Sequence, residues 1–138
     1  MDELRQLVEA YVPYNEQEER DRELILEQID SGRDILTRNN KNAHITVSGW
    51  VKFLSDELFS LEILTVDGHE KRGEYVSSHL HLNVTFLLEG DTEAPLAVKP
   101  DENSRVGWIP ADEIESRCSE PWFAERIYSK LCEKVKGI

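Results

Sequence analysis

EYVSSHLHLNVTFLL, residues 74–88, is the stretch on which the fold turns. Leu80, Leu82, Val84, Phe86 and Leu88 alternate with His79, His81, Asn83 and Thr85. Strict alternation marks a strand, because successive side chains leave a pleated backbone on opposite sides. One face is apolar and belongs in a core. The other is polar yet uncharged, as suits a partly covered surface facing a ligand. Two more stretches read as strands, HITVSGWV at 44–51 and FSLEILTV at 59–66, on their β-branched and aromatic content. Between them the pattern breaks at Lys52, with no Gly or Pro to mark a turn. Asp67, Gly68 and Gly73 mark a loop or hairpin tip before the main strand. SRVGWIP, residues 104–110, reads as a short strand stopped by Pro110.

Helices flank these strands. Leu4, Leu7, Val8, Tyr11 and Val12 fall on one helical face, and Pro13 ends that helix. Asn15 is placed to cap a second helix, with Ile25, Leu26 and Ile29 on its apolar side and Gly32 just past its end. The acidic run Glu16, Glu18, Glu19, Asp21, Glu23 reads as a solvated first turn favoured by the helix dipole. ADEIES reads as a short helical turn. A last helix follows, with Ser119 as its N-cap, Pro121 in its first turn, and Phe123, Ile127, Leu131 and Val135 as its buried line. Helix, helix, strands, short helix, helix is an α+β order with largely antiparallel strands. The length suits one domain, with a helical pair over 1–32 and the sheet and final helices over 44–138.

The formal charge of −12 repels phosphate backbones, which speaks against a nucleic-acid polymer as partner. A small nucleotide is still compatible, because a divalent ion can bridge acidic side chains and phosphates. Cys118 and Cys132 are too few for a disulfide framework, and Cys132 falls on the apolar stripe of the last helix as a reduced core thiol. MDELRQLVEAYV lacks the basic start and unbroken apolar run of a signal peptide, and no stretch approaches membrane-spanning length. A cytoplasmic location is the expectation.

Few residues carry chemistry by pattern alone. His79 and His81 face the same side of a strand, separated by roughly 7 Å along it. Such a pair can supply two zinc ligands, with a third from His44 or His69, but neither has a spacing that commits it. The plainer reading is two histidines on a pocket wall, so no metal ligand set is assigned. Asp101 and Glu102 precede SRVGWIP, where a carboxylate could serve as general base or simply be a polar loop residue. There is no nucleophile elbow, no P-loop and no dinucleotide fingerprint.

Several segments, in order, resemble the Nudix hydrolases. AHITVSGWV resembles the opening strand of that family, SHLHLNVTFLLEGD a middle strand, and ENSRVGWIPADEIES its late segment. The paired N-terminal helices ending in ILTRNNKNAHITVS resemble one bacterial subgroup. The resemblance implies a mixed, mostly antiparallel sheet flanked by helices. It implies metal-dependent hydrolysis of nucleoside diphosphate-linked substrates with Mg²⁺ or Mn²⁺. It also implies a catalytic role for Glu102 and substrate binding by His44, His79, His81 and Asn83.

The family's motif, G-x-x-x-x-x-E and then R-E-U-x-E-E-x-G-U with U a bulky aliphatic, is absent. Gly68 and Glu74 have the first spacing, but Leu82 and Asn83 stand where Arg-Glu should be. RELILE at 22–27 puts Leu26 where the first glutamate of the pair belongs. Against the family pattern, a segment is missing near residues 50–54, and with it the carboxylates that hold the metal. The resemblance therefore implies an incomplete sheet, absent or reduced hydrolysis, and self-association through the uncovered face. The alternatives are a non-catalytic module binding a nucleotide or small metabolite, and an α+β interaction domain.

Overall fold

The first helical pair shows how the chain builds its frame. The Asn15 side chain accepts the Glu18 amide at 2.9 Å and starts helix α2 (Glu16–Asp30), as the sequence predicts. Helix α1 (Asp2–Ala10) packs beside it, and Arg22 donates to the carbonyls of Val8 and Glu9 near α1's end. A computed structural model describes residues 1–51, 57–100 and 104–138, with the side chains of 50 and 51 excepted. The break at Lys52, the proposed missing segment near 50–54 and the Asp101–Glu102 pair therefore fall wholly or largely outside the described residues. The chain divides into two compact units, Met1–Leu88 and Glu89–Ile138.

The first unit holds strands β1 (Ala43–Val51), β2 (Leu58–Val66), β3 (His69–Lys71), β4 (Glu74–Val76) and β5 (His79–Leu88). The main sheet has the order β1-β5-β2, with β1 parallel and β2 antiparallel to the central β5. β3 and β4 form a separate antiparallel hairpin. Its tip is Arg72–Gly73, both at positive φ, the backbone that a two-residue hairpin turn requires. The fold class is thus α+β with a mixed sheet, mostly antiparallel by pairing. The long strand expected over 74–88 is broken at Ser77–Ser78, where the hairpin hands over to β5 and Ser78 Oγ accepts the Gly68 amide at 3.1 Å.

One sheet face is apolar. Leu61, Leu82 and Val84 are buried together with Val8, Ile25, Ile29, Ile35 and Ala43, and Leu4, Tyr11, Ile45 and Phe86 pack around them. Each fully buried aliphatic side chain contributes about 1.5–3 kcal/mol. Leu7 and Val12, expected on α1's buried face, are exposed instead. Tyr11 lies past the helix end in extended backbone, so the helical period no longer governs where Val12 falls.

The opposite face differs from expectation in a more useful way. Around Asn83 and Thr85 it is a buried polar network rather than an open wall. Asn83 Oδ1 accepts from Thr46 Oγ1 (3.0 Å) and Ser48 Oγ (2.8 Å). Its Nδ2 donates to Glu62 Oε2 (2.9 Å) and Thr85 Oγ1 (3.1 Å). Ser60 Oγ lies against Glu62 Oε1 on one side and Glu18 Oε1, at 2.8 Å, on the other. Glu18 Oε2 accepts from the Tyr11 hydroxyl (2.5 Å) and the Tyr14 amide (2.7 Å). Glu18 and Asp21, read from sequence as solvated, are therefore buried, and Asp21 Oδ2 accepts the Ile63 amide on the sheet's edge strand. Dipole logic places acids in a first turn but does not say which of them face the sheet. Burial and the Glu18 bond push the Tyr11 hydroxyl pKa well up.

In the second unit, helix α3 (Ile114–Arg117) follows a short 3₁₀ turn. A continuous run of α4 (Pro121–Phe123), a π-helical turn (Ala124–Tyr128) and α5 (Ser129–Lys136) ends the chain, with Leu131 and Ala124 buried. The final helix starts at Pro121 behind Glu120, without the Ser119 side-chain cap that the sequence predicts. SRVGWIP is not a strand. Residues 104–110 pair with no strand among the described residues, and Val106, Trp108 and Ile109 are exposed. A short apolar run is a strand only if a neighbour completes its ladder, and sequence does not show the neighbour.

Candidate functional site

The register of β1 on β5 sets His44 directly beside His81. Paired residues in register share a face, and His79 lies two positions from His81 on that face. Strand geometry alone would hold His79 and His81 roughly 7 Å apart. Their rings lean together instead, with Nε2 to Nε2 at 3.2 Å. Ring centroids are 5.0 Å apart for His44 and His79, 4.7 Å for His44 and His81, and 5.1 Å for His79 and His81. His79 Nδ1 sits 2.9 Å from the Ser77 carbonyl. That oxygen can only accept, so Nδ1 carries the proton, and in the neutral ring Nε2 offers its lone pair to the cluster.

The three imidazoles line a cavity of about 290 Å³ within the first unit. Arg38, Lys41 and Lys71 line it, as does His69 of the hairpin, and among the described residues no carboxylate does. In a chain of net charge −12 this local basic character is against the grain of the surface. Burial, then the nearby His79 and Arg38, lowers the His44 pKa. Burial, then His44, His79 and Arg38, lowers His81 to about 4. Both rings are therefore neutral at pH 7 and have lone pairs to give. His44 is 6% exposed, and its buried Nδ1 has no well-formed hydrogen bond among the described residues.

His44, His79 and His81 are thus brought together at one cavity. Asn83 is not part of it, because its amide makes all four of its hydrogen bonds inside the polar network. Glu102 lies outside the described residues. The sequence pattern does not single out Arg38, Lys41 and Lys71. RNNKN reads as a turn, but two cations immediately before a strand that carries a pocket histidine are a signal that could have found two of them. Among the described residues, the three histidines are the one group of three or more such side chains close enough to share an ion. An all-imidazole set suits zinc-like metals, whereas Mg²⁺ and Mn²⁺ favour oxygen ligands.

No family model matches the chain, and no curated protein matches it either. Among the described residues, no helix is long and apolar enough to cross a membrane.

Proposed function

We propose that the chain binds the phosphate end of a small nucleotide-like metabolite in the histidine cavity. The observation that carries this is the lining: Arg38, Lys41 and Lys71 around the imidazoles, with no carboxylate among the described residues. Guanidinium and ammonium groups hold phosphate oxygens by charge-assisted hydrogen bonds, and neutral imidazoles add donors. A volume near 290 Å³ lies at the small end for ligand sites, so one phosphate-bearing group fits within it and a longer molecule would project outward. Calorimetric titration with inorganic phosphate and ADP tests the reading. Arg38→Ala and Lys41→Ala are expected to weaken binding by roughly tenfold or more each. Unchanged affinity in both would remove the cavity from the site.

Descent from the Nudix family belongs to the same proposal. The ordered segments and the mixed sheet beside helices support it. Metal-dependent hydrolysis is the second reading, favoured by a phosphate-sized basic cavity next to potential ligands. A panel of nucleoside diphosphate derivatives with Mg²⁺ or Mn²⁺ decides between the two. Turnover abolished by chelator would put hydrolysis first, and Glu102 would be the first carboxylate to replace. A cytoplasmic location goes with either reading, in keeping with the free thiols of Cys118 and Cys132. Homo-oligomerisation also goes with both, because the missing segment would leave apolar sheet surface to cover.

A further inference from the structure

We propose that His44, His79 and His81 form a three-histidine site for Zn²⁺ or a similar borderline metal. This does not depend on anion binding at the basic rim. The candidate ligand atoms all lie within 4.8 Å of one another. Around a tetrahedral zinc, nitrogens at 2.0–2.1 Å from the metal are about 3.4 Å apart. The His79–His81 pair, at 3.2 Å, already stands near that separation. Modest rotation of the rings completes the set.

Three further features fit a metal better than a simple pocket wall. The Ser77 carbonyl fixes the His79 tautomer and turns Nε2 inward, the arrangement by which backbone carbonyls orient metal-binding histidines. The buried His44 Nδ1 has no well-formed hydrogen bond among the described residues, an expensive state for a polar atom with nothing to bind. The ligands come from adjacent, in-register strands, so backbone pairing and not loop conformation fixes their spacing.

Proton placement is consistent with binding. With His79 Nδ1 protonated, the 3.2 Å contact makes His81 Nε2 the donor in the neutral, metal-free pair. On binding, that proton shifts to His81 Nδ1 and both Nε2 atoms face the ion. Neither ring changes its net protonation. Three protein ligands leave a fourth position open toward the cavity. Arg38, Lys41 and Lys71 would draw an anion or hydroxide to it.

Zn²⁺ alone is the probe. Metal-free protein is titrated with Zn²⁺ by calorimetry, and with Co²⁺ read by visible absorption, which reports coordination number. The expected result is one equivalent per chain with four-coordinate cobalt bands. His79→Gln and His81→Asn, which keep much of the side-chain volume at half-buried positions, should lose stoichiometric uptake. His69→Ala should keep it. Circular dichroism melts check that each variant is folded. No uptake by the wild type would overturn the site, as would full uptake by folded His79→Gln and His81→Asn. Loss in His69→Ala as well would move the site elsewhere on the cavity wall. Phosphate binding without zinc uptake would leave the anion reading standing and remove this one.

Discussion

Asn83 has four hydrogen-bonding positions and uses all of them inside the protein. It joins all three strands of the sheet, reaching Thr46 and Ser48 on β1 and Glu62 on β2. Its replacement should therefore act on folding and not on ligand. Asn83→Ala is expected to cost about 1–3 kcal/mol, because Glu62 loses a donor in a buried setting. ADP affinity, measured on folded variant, should stay near wild type. A large affinity loss with unchanged stability would return Asn83 to the binding site. The sequence shows Asn83 on the same strand face as the histidines, and that much is correct. It does not show that the face changes character along its length, since burial there depends on Glu62 and Glu18, which lie far away in sequence. Ser60 makes the point again. Its single hydroxyl proton meets a carboxylate on each side, an arrangement that no local pattern encodes.

The pairing of β1 with β5 is the element-scale event that makes the site. The alternation in 79–88 reveals the central strand, and β-rich composition reveals 44–51. That the two run parallel, with His44 opposite His81, is a register fact and is not legible in either strand alone. Packing three imidazoles together near Arg38 carries a pH signature. An unfolded histidine titrates near pH 6.5. His81 in the fold is lowered to about 4, mainly by burial and then by His44, His79 and Arg38, and His44 is lowered for the same kind of reason. Below pH 6.5 the unfolded chain therefore takes up protons that the folded cluster refuses. Their contribution to stability is complete above about pH 6.5 and is lost as pH falls toward about 4. The other groups that line this cavity, His69, His79, Lys41 and Lys71, include no carboxylate among the described residues that would reverse the sign. Urea midpoints measured between those limits should fall for the wild type and fall less for His81→Asn. Parallel curves would show that His81 is not the group responsible.

At the scale of the molecule, charge and cavity point in opposite directions. A chain of −12 repels polyanions at long range, yet the cavity lined by the histidines is basic. Long-range repulsion and short-range attraction together favour small anions over nucleic-acid polymers. The α+β class follows from periodicity and element order, and the structure bears it out. The expected strand at 104–110 fails because no ladder neighbour exists for it among the described residues. Val47, on the outer strand β1, is 68% exposed although its register partner Val84 is buried. Sedimentation velocity over a range of concentrations should show a dimer or larger species, and a clean monomer throughout would contradict the uncovered-face argument.

The most direct test of the cavity is nuclear magnetic resonance of the four imidazoles during titration with ADP. The resonances of His44, His79 and His81 should move together and saturate with a single affinity, and Arg38→Ala should shift that saturation to higher ligand concentration. If all three stay fixed while ADP is in large excess, the cavity does not bind this class of ligand and the proposed function is wrong.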